Sequence, residues 1–240
     1  MTVIQFGSLE STNRYCEALD LAGVEDFTCF WALEQTAGIG QQGNHWHASP
    51  GLNLTFSLVL HPAFLAAERQ FRLTQALSLA LADFLADFHL RQPAFIKWPN
   101  DIYVDGKKLC GILTSTRLQG AAIASAVCGV GLNVNETAFP DWVPNPTSLA
   151  LLTGRTFELE PLLWQLLSCL ERRYGNLRAG LDPEEEYLKR LMNLGTPAHY
   201  LYNEEEITAT ITGIDPHGRL LLTAADGRRL SCGMKEIAFL

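Results

Sequence analysis

The apolar positions change period several times along the chain. From Ala67 to Phe88 they recur at helical spacing, with Leu73, Leu77, Ala80, Phe84 and Phe88 on or near one stripe, which predicts an amphipathic helix. The run "FELEPLLWQLLSCLERRYGNL" repeats that pattern with Pro161 near its start, where a missing N–H costs little. An earlier helix is predicted in "LESTNRYCEALDL". There Ser11 or Thr12 can accept from the free N–H groups of the first turn, and Tyr15, Leu19 and Leu21 supply the apolar spacing. Strands are predicted in "FTCFWALEQ", "LNLTFSLVLH" and the small-residue run "AAIASAVCGVGLNVN". After about residue 195 the texture shifts to "EITATITGID", "RLLLTA" and "RLSCGM", separated by "PHG" and "DG" turns. That tail predicts a separate β-barrel of roughly 45 residues, a size at which docking is needed for stability. The irregular alternation before it favours an α+β class with a mixed or antiparallel sheet.

Length and charge narrow the picture. The 240 residues suffice for one large domain, or for one of about 190 residues plus an appendage. A formal net charge of −8 with no basic cluster argues against a nucleic-acid partner, whose phosphates would have to be neutralised by Lys and Arg. Cys16, Cys29, Cys110, Cys128, Cys169 and Cys232 lie far apart with no C-x-x-C pair, and read as reduced packing residues. The start "MTVIQFGS" has neither a basic nor a long apolar region. "LTQALSLALADFLADF" is broken by Asp83 and Asp87 and is too short to span a bilayer. A soluble, cytoplasmic protein with no membrane partner is expected.

Candidate chemistry gathers in three places. In "AGIGQQGNHW" the glycines Gly38, Gly40 and Gly43 have the G-x-G-x-x-G spacing of a dinucleotide turn. That fingerprint runs into a helix, whereas strands bracket this loop, so the dinucleotide reading fails. In "IYVDGKKLCGIL" the Asp105-Gly106 pair is a hairpin signal. It predicts Val104 opposite Lys107, Tyr103 opposite Lys108, Ile102 opposite Leu109 and Asp101 opposite Cys110, with Asp101, Tyr103, Lys108 and Cys110 on one face. Asp101 and Lys108 then form either a solvated surface pair or a site, and Lys97 before Trp98-Pro99-Asn100 tilts the choice toward a site. In "VCGVGLNVN" alternation puts Val127, Gly129, Gly131 and Asn133 on one face. The glycines leave a floor that something can approach closely, and Asn133 offers a donor and an acceptor at its end. His45 and His47 form an H-x-H pair that alone rarely makes a metal site, and Cys110 reads as a packing residue.

"KWPNDIYVDGKKLCGIL" resembles the central signature of the biotin–protein ligases, K-W-P-N-D followed by K-[LI]-x-G-I-L. "ESTN", the Q-x-A-G-x-G-x-x-G-x-x-W loop with "SPGLNL" after it, and "GVGLNVN" match further family blocks in order. The resemblance spans the whole chain. It implies a catalytic domain over 1–194, of the class II synthetase-like α+β kind, and a small SH3-like β-barrel over 195–240. The DNA-binding extension of some members is absent from the sequence, so repression by that route is not expected.

The implied reaction has two steps. Biotin and ATP give biotinyl-5′-AMP, which then acylates a lysine of the biotin carboxyl carrier protein of a biotin-dependent carboxylase. By match to the motif, Lys108, Lys97 and Asp101 carry the catalysis. Ser11, Thr12, Asn13, Gln35, Lys108 and Gly111 bind biotin. Gly38, Ile39, Gly40, Gln41, Trp46, Asn100 and Asn133 serve the nucleotide, with Trp46 stacking near adenine. Asp101 is the candidate Mg²⁺ ligand. One departure matters: better-known members read G-R-G-R-R-G-R, and Ile39, Gln41, Gln42 and Asn44 leave this loop without arginine. An arginine–phosphate bond is about twice as strong as a neutral one, so weaker retention of the adenylate is expected. A lipoate or octanoyl transferase, or a weakly catalytic paralogue that binds biotin or its adenylate, are the alternatives. Oligomeric state is not legible in the pattern.

Overall fold

A computed structural model describes residues 1–240, apart from the side chain of Gln42. Gln42, one of the loop positions singled out above, therefore lies outside the described residues. The chain is α+β. A seven-stranded sheet is built from β1 (Thr2–Phe6), β2 (Thr28–Ala32), β3 (Leu54–Leu60), β4 (Phe95–Lys97), β5 (Asp101–Val104), β6 (Lys107–Gln119) and β7 (Ala122–Leu132). Their order is β1-β2-β3-β7-β6-β5-β4. The β1–β2 pair is parallel and the rest are antiparallel, so the sheet is mixed as expected. In the edge strand β1 only Val3 and Phe6 are partly buried, which is why no periodicity announced it.

Helices cover both faces. α1 (Thr12–Glu17) lies against β2, β3 and β7. Ser11 caps it by accepting from the Arg14 N–H, and it ends sooner than its apolar spacing predicts. Asp20 then caps a separate 3-10 turn by accepting from Ala22 N–H. On the opposite face, α2 (Phe71–Ala86) packs on α4 (Leu159–Arg178) and on β4, β5 and β6. The predicted stripe is there, with Leu73, Leu77, Ala80 and Phe84 in the main core. Phe88 falls just past the helix and stacks on Phe84 and Phe157. Every residue of β3 is buried, as its nearly unbroken apolar run requires of a strand covered on both sides. Two short helices lack a periodicity of their own, α3 (Leu149–Thr153) and α5 (Glu184–Lys189), and α5 packs on α2.

A second sheet follows in the order β11-β10-β9-β8-β12. Its strands are β8 (Pro197–Tyr202), β9 (Glu205–Ile214), β10 (Leu220–Ala224), β11 (Arg229–Cys232) and β12 (Ile237–Phe239). All its pairs are antiparallel. Its buried residues, among them Tyr200, Ile211 and Leu222, belong to the same apolar core as the large sheet. The Trp98 indole N–H donates to the Gly218 carbonyl at 3.0 Å, and Met192 N–H donates to the Ile96 carbonyl at 2.8 Å. The small sheet is thus docked beside the β4–β5 hairpin.

Candidate active site

The hairpin turns as Asp105-Gly106 requires, both with positive φ (51° and 70°). Near the turn the register is the predicted one, Val104 with Lys107 and Tyr103 with Lys108. Further along, a bulge shifts it by one residue: Ile102 pairs with Cys110 and Asp101 with Gly111. This corrects the expected Asp101–Cys110 pairing and removes Cys110 from the site face. The extra residue lets Leu109 and Cys110 both reach full burial, and burial pushes the Cys110 thiol pKa up, as suits a packing residue. Lys108 and Gly111 are left facing the site. Lys108 Nζ lies 2.6 Å from Asp101 Oδ2, with the two side chains 27% and 26% exposed. They form a half-buried pair, not one on a solvated face.

Two cavities meet at this pair. The first, about 220 Å³, is lined by Ser11, Thr12, Asn13, Gln35, Asp101, Lys108 and Gly111, with Ile39, Gly40, Gln41 and Trp46 from the loop. The second, about 680 Å³, is lined by Gly38, Trp46, Lys108, Asn133, Phe139, Trp142 and Pro146, among others. Lys108 and Trp46 stand in both walls.

The glycine floor of β7 is real, and side chains already use it. A Cβ at Gly129 would lie 2.0 Å from Asn13 Oδ1, and one at Gly131 would lie 2.3 Å from Trp46 Cε2. The bare face therefore seats Asn13 from α1 and the Trp46 indole from the loop. Trp46 also lies against Gly111 and under the Lys108 ammonium, 5.6 Å from the ring centre. The buried Trp46 Nε1 and Asn133 Oδ1 have no hydrogen-bond partner among the described residues. The other end of Asn133 donates to the Thr147 carbonyl at 2.9 Å.

At the α1 end a polar network is already formed. Gln35 Oε1 accepts from Thr12 N–H at 2.7 Å and from the Thr12 hydroxyl at 3.1 Å. Ser57 Oγ lies 2.8 Å from Thr12 Oγ1 and 2.5 Å from Asn13 Oδ1, and its single proton serves one of them. Asn13 Nδ2 donates to the Leu113 carbonyl at 3.3 Å. The loop is pinned as a small hairpin by Gly40 N–H to Asn44 carbonyl (2.7 Å) and Trp46 N–H to Gly38 carbonyl (3.0 Å).

Two expected residues lie elsewhere. Asn100 lines neither cavity. Its side-chain amide donates to the Ile112 carbonyl and ties the β4–β5 turn to β6. Lys97 also lines neither cavity. Its ammonium sits 5.1 Å from the ring centres of both Tyr103 and Phe239. Burial lowers its pKa, Asp101 opposes that and Lys108 adds to it.

Other residues escaped sequence reasoning. Ser57 was hidden in an apolar strand. Glu136 is buried and accepts from Ser49 N–H (3.0 Å), the Ser49 hydroxyl (3.0 Å) and Asn53 Nδ2 (2.9 Å), tying the loop to the segment after β7. Phe139 and Trp142 lie in that same segment, which has no period to mark it. Segment 145–147 in turn grips Lys108: Lys108 N–H donates to the Asn145 carbonyl and Thr147 N–H to the Lys108 carbonyl. Among the described residues no group of three or more His, Cys, Asp or Glu is gathered for a metal ion, and no helix is long and apolar enough to cross a membrane.

Known proteins are similar to this chain in both sequence and fold. Residues 6–133 match the model of the biotin/lipoate A/B protein ligase family, and 200–233 that of the biotin protein ligase C-terminal domain. The biotin–[acetyl-CoA-carboxylase] ligase of Paracoccus denitrificans is 32% identical over 231 residues, covering 92% of this chain and 94% of that protein. The bifunctional ligase/repressor BirA of Bacillus subtilis is 30% identical over 227 residues, covering 91% and 68%. The fold of the Aquifex aeolicus biotin protein ligase, solved in complex with biotin and ATP, superposes with a TM-score of 0.81 at 24% identity, covering 100% of this chain and 98% of that one.

Proposed function

The chain belongs to the biotin/lipoate A/B protein ligase family, and from that premise we propose that it is a biotin–protein ligase: it activates biotin with ATP and transfers it to a lysine of a biotin carboxyl carrier protein. The observation that carries this reading is Lys108 in the wall of both cavities, paired with Asp101 at 2.6 Å. An acyl-adenylate has its two halves joined at one phosphate, and a cation at the junction of two cavities suits that shape.

In this reading the first cavity takes biotin, with its ureido ring at the Ser11, Thr12, Asn13 and Gln35 end. The second takes the adenosine between Trp46 and the Phe139–Trp142 segment. A biotin carboxylate oxygen attacks the α-phosphorus, the bond to the bridging oxygen breaks, and pyrophosphate leaves. Both reactants are anions, so Lys108 lowers the barrier by screening charge that gathers between them. The neutral amine of the carrier lysine then attacks the acyl carbon, AMP leaves, and Asp101 takes the proton. Asp101 is the one carboxylate in the lining of the two cavities among the described residues. A single carboxylate suits a Mg²⁺ ion that arrives on the nucleotide and keeps its waters. Asp101 would hold it, and the ion would withdraw charge from the phosphates.

The lipoate alternative fails on chemistry. A dithiolane offers nothing to the polar groups around Thr12, Gln35 and Ser57. A ureido ring can exchange hydrogen bonds with that network and a dithiolane cannot, which favours biotin. Biotin-dependent ATP–pyrophosphate exchange, with lipoate as control, tests the reading. Exchange with biotin is expected, and its loss in Lys108→Ala. Binding without exchange would leave only a biotin-binding paralogue, and exchange with lipoate alone would reassign the enzyme.

A further inference from the structure

Lys97, on β4, carries a charge with no carboxylate paired with it among the described residues. It stands opposite Asp101 in the β4–β5 register, yet Asp101 is paired with Lys108. Lys97 forms no ion pair among the described residues. Instead its ammonium lies between two rings, Tyr103 of β5 and Phe239 of β12, at 5.1 Å from each centre. Tyr103 is two residues from Asp101 on the same strand and so shares its face of the sheet. Phe239 comes from the other sheet, where it is itself braced edge-on by Tyr200 at 5.2 Å and held by pairing of β12 with β8. A desolvated ammonium is costly, and ring faces offset that cost without neutralising the charge. A carboxylate in the same place would hold Lys97 but would cancel the charge that a phosphate needs.

We propose that Phe239 is a positioning residue for Lys97: the last strand of the C-terminal sheet supplies one wall of an aromatic slot that keeps the ammonium unpaired and aimed along the Asp101–Lys108 face for the nucleotide phosphates. This rests on the reading above and on a phosphate role for Lys97, which the resemblance to biotin–protein ligases implies. It also gives the C-terminal sheet a function in adenylation, since the large sheet alone contributes only one of the two rings.

The test uses the full chain with Phe239→Leu, which keeps an apolar strand residue, and Phe239→Trp, which keeps a ring face. Lys97→Met and the double variant Lys97→Met/Phe239→Leu complete the cycle. In lysine-labelled protein, the Lys97 methylene resonances, assigned by their loss in Lys97→Met, should be shifted upfield by the rings. That shift should collapse in Phe239→Leu and persist in Phe239→Trp. In pyrophosphate exchange, Phe239→Leu should lower kcat/KM for ATP about three- to thirtyfold, leave KM for biotin unchanged, and be rescued by Phe239→Trp. In the Lys97→Met background the Leu substitution should add nothing. An unchanged kcat/KM for ATP in Phe239→Leu overturns the proposal, as does an undiminished Leu effect without Lys97. If Lys97→Met itself leaves ATP kinetics intact, the proposal falls together with the phosphate role. The resonance shift then tells whether the ring contact was at fault or only its use.

Discussion

At Gly129 and Gly131 a single added carbon would reach into the site. The Cβ of Gly129→Ala would meet Asn13 and that of Gly131→Ala would meet Trp46; in each case the side chain must move. Overpacking of this kind costs about 1–3 kcal/mol. Gly129→Ala is expected to weaken biotin binding by that amount and Gly131→Ala to weaken ATP binding. Titration calorimetry reads both, and Gly213→Ala, where nothing lies within 4 Å, should change neither. The arginine-free loop yields a second prediction at this scale. Gln41 lines the first cavity, and replacing a neutral hydrogen bond with a charge-assisted one is worth about a tenfold change in lifetime. Gln41→Arg should slow dissociation of the adenylate about tenfold, and equal rates in the two proteins would sink the idea.

Among the elements, α2, α4 and α5 are tied together through one carboxylate. Asp83 accepts from Arg173 at 2.7 and 3.1 Å, from Arg172 at 3.3 Å and from Arg190 at 3.2 Å. Burial raises its pKa, but the arginine hydrogen bonds and charges outweigh that and the net shift is downward. A depressed carboxylate contributes stability that is full above its unfolded value, near pH 4, and is lost as pH falls through the lower folded value. Asp83→Asn should destabilise the chain at neutral pH by about 1–3 kcal/mol, leaving three arginines under-paired. It should also flatten the acid limb of the stability curve. Denaturant melts between pH 7 and pH 3 check both, and an unchanged acid limb would count against the assignment. The bulge in the β5–β6 hairpin belongs to this scale as well. The Asp-Gly turn was legible because only residues tolerant of positive φ fit there, whereas the bulge was not. It follows from the burial of Leu109 and Cys110 against a core that other segments provide.

For the molecule as a whole, the junction of the two sheets is the sensitive point. Gly218 has φ +86°, and a Cβ there would lie 2.4 Å from the Phe71 ring, while its carbonyl accepts from Trp98. Gly218→Ala adds backbone strain to overpacking and should cost about 2–4 kcal/mol. That lowers Tm by about 4–16 °C for a chain of this size. Because the apolar core is continuous across both sheets, melting should remain a single transition. Two resolved transitions in calorimetry would contradict that.

The sequence by itself determined the α+β class, the long helices, most strands, and the motif that places Lys108, Asp101, Thr12, Gln35 and Gly111 in one site. These are encoded locally, in helical period, in strand alternation, in turn chemistry, and in one ordered motif. It also exposed β7 as a strand bare of side chains on one face. Tertiary structure alone decided what lies on that face, because Asn13 and Trp46 reach it from segments about a hundred residues away in sequence. It decided that Asp101 faces Gly111, since a bulge is chosen by the core it serves. It gave Asn100 a tie to the Ile112 carbonyl of β6 and set Lys97 between two rings. The second of those rings comes from the far end of the chain, and no local pattern carries such a pairing, because what selects it is the packing of one sheet against another.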